Sequence, residues 1–123
     1  MSELKNLVPP LELCKLIPQG EFEDSSAIWV FFPKSDKKFH LYLREDYDWS
    51  KSENYPAPTF YEILDELHKC QDDVFIKWSN TAYHGWLVNA YTHGRNEDYQ
   101  AHDESKVIAA LLKVWLKMKG VEA

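Results

Sequence analysis

The sequence predicts an α+β fold: a four-stranded, largely antiparallel sheet with helices packed on it, in the order α-β-β-α-β-β-α. Three observations carry this. Over residues 103–120, Val107, Leu111, Val114 and Met118 recur at three- and four-residue steps, with Ile108 and Trp115 beside them. That is the signature of a helix with one wide apolar stripe. Residues 39–44 alternate, with Phe39, Leu41 and Leu43 on one face and His40, Tyr42 and Arg44 on the other, as a strand requires. Finally, the strand-like segments come in pairs joined by short turns, which makes hairpins and so an antiparallel sheet.

Taken in order, residues 1–8 read as a loose arm. Pro9 and Pro10 open a short helix, since proline is tolerated in a first turn. Leu11, Leu13, Cys14, Leu16 and Ile17 continue it until Pro18 and Gly20 stop it. Residues 21–26 are polar and acidic. Residues 27–32 (Ala-Ile-Trp-Val-Phe-Phe) are branched or aromatic without a polar member, hence a strand. Residues 33–38 form a turn and 39–44 the second strand. Residues 45–58 are the longest irregular stretch, rich in turn formers.

Thr59 with Glu62 fits a capping box. Phe60, Ile63, Leu64 and Leu67 then mark a helix over 59–69. Residues 74–78 give a third strand and 83–91 a fourth, in which Gly85 suggests a bulge. Residues 92–102 read as a polar loop. Asp103 caps the terminal helix, and Gly120 ends it by taking left-handed backbone angles. The first strand is apolar on both sides. The sheet is therefore expected to be covered on both faces, by helices or by a second copy of the chain. The 59–69 and 104–119 helices should pack together on one face, with the 10–17 helix and the 46–58 loop on the other.

A chain of 123 residues makes one domain, 1–123, and buries roughly two thirds of its unfolded surface without staples. The aromatic share of 15% means that rings fill much of the core. A net charge of -6 argues against nucleic acid as a partner, because phosphate binding needs clustered cations. It also argues against anionic membrane surfaces. No apolar run is long enough to span a bilayer, and the N-terminus lacks signal-peptide character, so the expected location is cytoplasmic. Cys14 and Cys70 match no paired motif and read as buried free thiols.

The second half resembles a type of small protein of unknown function encoded in bacterial and phage genomes. The matching residues are Pro58-Thr59 with Leu64 and Leu67, then 76–78 (Ile-Lys-Trp) and 86–88 (Trp-Leu-Val), then 109–112 (Ala-Ala-Leu-Leu) with Trp115 and Leu116. The likeness covers residues 56–120. It implies a compact cytosolic helix-sheet-helix sandwich, associated with phage or mobile elements, and carries over no active-site residue.

Chemistry-bearing candidates are sparse. His93, Asp98 and His102 offer metal-ligand or acid–base groups, but the two histidines lie nine apart across a loop, and polar loops before a helix are ordinary. His40 and His84 stand on strands without a motif. No Gly-x-Ser-x-Gly or Gly-rich phosphate loop is present. The acidic clusters 21–24 and 45–48 lack the EF-hand pattern and read as solvated edges. Tyr47, Trp49, Tyr55 and Tyr61, interleaved with prolines and acids, are the candidate binding residues; the competing reading folds them back as a lid on the sheet.

Three functions remain open. The first is a non-enzymatic protein-binding or accessory module with a protein partner or a homodimer, needing no cofactor and having no catalytic residue. The second is a small metal-dependent or acid–base enzyme using the 93–102 loop. The third is an acidic nucleic-acid mimic.

Overall fold

A computed structural model describes residues 2–46, 53–71, 73–79, 85–91 and 98–121. The fold is α+β, but two antiparallel sheets of three strands replace the expected single sheet of four. The chain divides into two compact units, Met1–Thr59 and Phe60–Ala123. Among the described residues no helix is long and apolar enough to cross a membrane.

The first unit holds α1 (Ser2–Lys5), α2 (Leu11–Cys14), β1 (Ala27–Phe31), β2 (Phe39–Leu43), a 3₁₀ turn (Arg44–Asp46) and β3 (Asn54–Ala57). Its strand order is β2-β1-β3. The wholly apolar β1 takes the centre, where Ala27, Ile28, Trp29 and Val30 are buried, so both of its faces are covered as expected. The β1–β2 register sets Trp29 opposite Leu41 and Phe31 opposite Phe39. Across the tip, Lys37 takes a positive φ of 58°, and Asp36 Oδ1 accepts the Lys38 N–H.

Strand β3 was hidden by Pro56, which faces Ile28; proline is compatible with an edge strand because its missing N–H leaves no inner ladder broken. The four residues of α2 pack on β3. They bring Cys14 into the core, where its thiol donates to the Pro9 carbonyl at 3.6 Å. Burial pushes that thiol up to about 12, offset only in part by the nearby Trp29 indole N–H.

The second unit holds α3 (Phe60–Cys70), β4 (Asp73–Ser79), β5 (Gly85–Tyr91), β6 (Asp98–Asp103) and α4 (Val107–Met118). Its strand order is β4-β5-β6. Helix α3 packs against α4, as expected. It buries Ile63 and Leu67, and at its end the Gln71 amide donates to the Met118 sulfur at 3.3 Å. Helix α4 is buried on more than one stripe: Ala109, Ala110, Leu112 and Leu116 are covered as well as Ile108, Leu111, Val114 and Trp115. A helix apolar around most of its circumference belongs inside. It ends as the sequence predicts, with Gly120 at φ 81°. There the Val121 N–H reaches the Leu116 carbonyl, and the Gly120 N–H reaches that of Lys117, a Schellman closure.

Strand β6 occupies what the sequence presents as the second half of a polar loop. Its residues have weak strand preference, and pairing with β5 fixes them instead: Val88 faces Ala101 and Ala90 faces Tyr99. The second sheet also departs from the expected cover on both faces. Val88, Ala90 and Ala101 are buried on the face that α4 packs against, whereas the other face leaves Phe75 exposed. Of the 10–17 helix and the 46–58 loop expected on that other face, α2 and β3 belong to the first unit.

Gly85 is not at a bulge; it pairs with Ser79 at the start of β5. Its φ is +149°, and a Cβ there would stand 2.5 Å from the Asp103 carbonyl oxygen and 2.7 Å from the Glu104 Cα. Both obstacles are backbone and cannot swing aside. Gly85→Ala is therefore expected to destabilise by about 2–4 kcal/mol, read as a fall in Tm of about 10 °C in a thermal melt. The two free cysteines, Cys14 buried and Cys70 exposed, should separate under a thiol reagent at about pH 8. Cys70 reacts in the native protein and Cys14 only after denaturation; two fast native thiols would contradict the packing of α2.

Candidate functional site

Apart from Tyr61 on α3, the large exposed apolar side chains among the described residues of the second unit gather on one strand. On β4, Phe75 is 55% exposed, Ile76 39% and Trp78 49%. Strand alternation explains how they spread. Val74, Ile76 and Trp78 point to the α4 side of the sheet, and Asp73, Phe75 and Lys77 to the opposite side. Among the described residues β4 is an edge strand of its sheet. The rings are braced by β5: Phe75 stacks on Tyr91 with centroids 5.6 Å apart and planes 11° apart. Trp78 meets Trp86 edge-on at 5.3 Å. Phe75 and Trp78 are thus held by ring neighbours on β5 while remaining about half exposed.

The other edge is treated differently. Lys117 Nζ donates to the Gln100 carbonyl at 2.7 Å, and Lys113 Nζ donates to the His102 carbonyl at 3.2 Å. Two lysines from α4 thus cover carbonyls of β6 with positive charge, which discourages pairing by a further strand. The side chains of β6 are polar, with Asp98, Gln100 and His102 exposed.

The sequence-predicted binding residues scatter. Tyr47 and Trp49 lie outside the described residues. Tyr55 sits on β3, half-buried, where it packs on Phe39 at 5.7 Å and its hydroxyl donates to Glu53 at 3.0 Å. The Lys15 ammonium stands 4.9 Å from the Phe39 ring and 5.9 Å from that of Tyr55. Tyr55 is therefore folded onto the sheet. Tyr61, on α3, is 74% exposed and touches Phe60 edge-on.

Of the metal candidates, Asp98 and His102 are described. His93 and His84 fall outside the described residues. Asp98 and His102 stand at opposite ends of β6, about 13 Å apart by strand rise. Among the described residues no three His, Cys, Asp or Glu side chains gather as a metal site. His40 Nε2 pairs with Asp36 Oδ2 at 2.6 Å, on the surface. The acidic loop of the first unit lines an open groove of about 670 Å³, where Glu21, Glu23 and Asp24 stand near Arg44, Asn54 and Tyr55. Arg44 is engaged there, donating from Nε to the Ser25 carbonyl at 2.7 Å and from Nη2 to the Ser25 hydroxyl at 2.9 Å.

The sequence reading places residues 74–78 on a strand without assigning that strand a position in the sheet, so Phe75, Ile76 and Trp78 are not among its candidates. The available signal was Lys77, a charge in mid-strand, which is a habit of edges.

No family model matches this chain, and neither a curated protein nor a solved structure matches it.

Asp103 has structural duties that remove it from any acid–base role. Its Oδ1 accepts the Ser105 and Lys106 N–H groups at 3.0 and 2.9 Å, and Oδ2 pairs with Lys113 at 3.2 Å. It closes the turn before α4, which starts at Val107 rather than beside it. Partial burial would raise this carboxyl, but the two N–H donors and the Lys113 ammonium outweigh it and hold the group below its ordinary value of 3.8. A carboxyl lowered on folding stabilises fully above its unfolded value and loses that contribution as pH falls through the folded one. Asp103→Asn should therefore be less stable than wild type at neutral pH, with the gap closing between about pH 4 and pH 2 in denaturant melts. A constant gap would mean that the charge contributes nothing.

Proposed function

We propose that this protein is a small non-enzymatic binding module that docks a protein along the β4 edge. The observation that carries the reading is the exposed set Phe75, Ile76 and Trp78 on a strand at the edge of the described sheet, with Phe75 and Trp78 braced by rings on β5. Exposed aromatic anchors beside unpaired backbone are what strand addition uses: main-chain hydrogen bonds supply affinity and alternate side chains supply selectivity. Apolar surface of this kind on a solvated edge otherwise invites aggregation, so it is retained where it is used. Tyr61 offers a further exposed ring on α3. The resemblance of the second half to small bacterial and phage proteins adds an accessory role to the proposal.

The test is affinity capture with the purified protein as bait, comparing wild type with a Phe75→Ser/Trp78→Ser variant. Both side chains are exposed, so the variant should melt within about 3 °C of wild type. Retention of the bound protein should fall at least about tenfold. Equal retention by both baits would sink the reading.

A further inference from the structure

We infer that β4 pairs with β4 of a second copy, antiparallel about a two-fold axis at Phe75, joining two three-stranded sheets into one of six. This rests on the proposed docking role of β4 and names its occupant.

The argument begins with register. In an antiparallel pair, residues directly opposite each other point to the same face. A two-fold axis through the sheet therefore passes through a residue, not between two. For a strand running Asp73-Val-Phe-Ile-Lys-Trp-Ser79, three central positions are available. An axis at Lys77 sets two ammonium groups face to face. An axis at Ile76 leaves Asp73 and Lys77 without opposite charges across from them. An axis at Phe75 sets each Asp73 opposite the other copy's Lys77, twice, with the Phe75 rings meeting between them and Val74 opposite Ile76 on the α4 side. Only this register pairs unlike charges and places the most exposed ring of β4 at the centre, where it is best shielded from water. Asp73, whose carboxylate also interacts with the Tyr91 hydroxyl, Phe75 and Lys77 all lie on the face that α4 does not use.

The contrast between the two edges supports the choice of β4. On β6 the Gln100 and His102 carbonyls are engaged by Lys117 and Lys113, while β4 carries the exposed apolar side chains Phe75, Ile76 and Trp78. The paired stretch, residues 73–77 of each copy, is shorter than a standard interface, so a dissociation constant of about 10 µM is expected.

Sedimentation equilibrium across about 1–200 µM reads the result. Wild type should reach a dimer in that range. Asp73→Lys and Lys77→Asp should each weaken it at least about tenfold, because each creates two like-charge contacts. An equimolar mixture of the two variants should recover a heterodimer, because each lysine again faces a carboxylate. That rescue also shows that both variants are folded. A monomer throughout, a dimer indifferent to either substitution, or a mixture without rescue would overturn the pairing. If the chain is monomeric yet capture by the bait still depends on Phe75 and Trp78, the second copy alone is excluded. If capture is independent of them as well, the docking reading falls with it.

Discussion

The second unit depends on one close approach, the backbone of Asp103 against Gly85. The Asp103 carbonyl occupies space that any side chain at Gly85 would fill. That contact lets β6 end tightly beside the start of β5. It thereby delivers the Asp103 carboxylate to the turn ahead of α4 and to Lys113 within α4. With the start of α4 fixed, the helix lies along β5 and β6, and its lysines fall over the carbonyls of the outer strand. A glycine, an aspartate and two lysines thus form a single causal chain: backbone clearance sets helix position, and helix position decides which sheet edge is sealed.

The first unit is organised by a different constraint, the two-sided burial of β1. A strand without polar side chains cannot sit at an edge or with one face in water, so it takes the middle place. Its neighbours then supply cover on both flanks. Cys14, held against Trp29, illustrates the consequence for chemistry: a thiol driven up to about 12 is a packing element and not a nucleophile. The rings that sequence composition promises are divided between the two units, and among the described residues only those on β4 and Tyr61 are left substantially exposed.

Much of this was legible in the sequence where hydrophobic periodicity is strong. The helix that ends at Gly120, the β1–β2 hairpin, the 60–70 helix and the pairing of β4 with β5 all follow from spacing alone. What spacing does not disclose is the pair of edge strands β3 and β6. One contains a proline and the other is mostly polar, so each owes its conformation to a neighbour rather than to its own residues. Without them two sheets read as one, and the place of β4 at a margin is not visible. Tyr55 is conspicuous by composition but spent on packing against Phe39, whereas Phe75 and Trp78 look like core until the strand order places them at a margin.

The lysine seal on β6 has a consequence in the arithmetic of assembly. A sheet with two open edges has a valence of two and can polymerise without limit, while a sheet with one has a valence of one. With Lys113 and Lys117 seated on carbonyls of β6, strand addition at that edge is disfavoured. The same helix that completes the core of the unit therefore also guards one margin of its sheet.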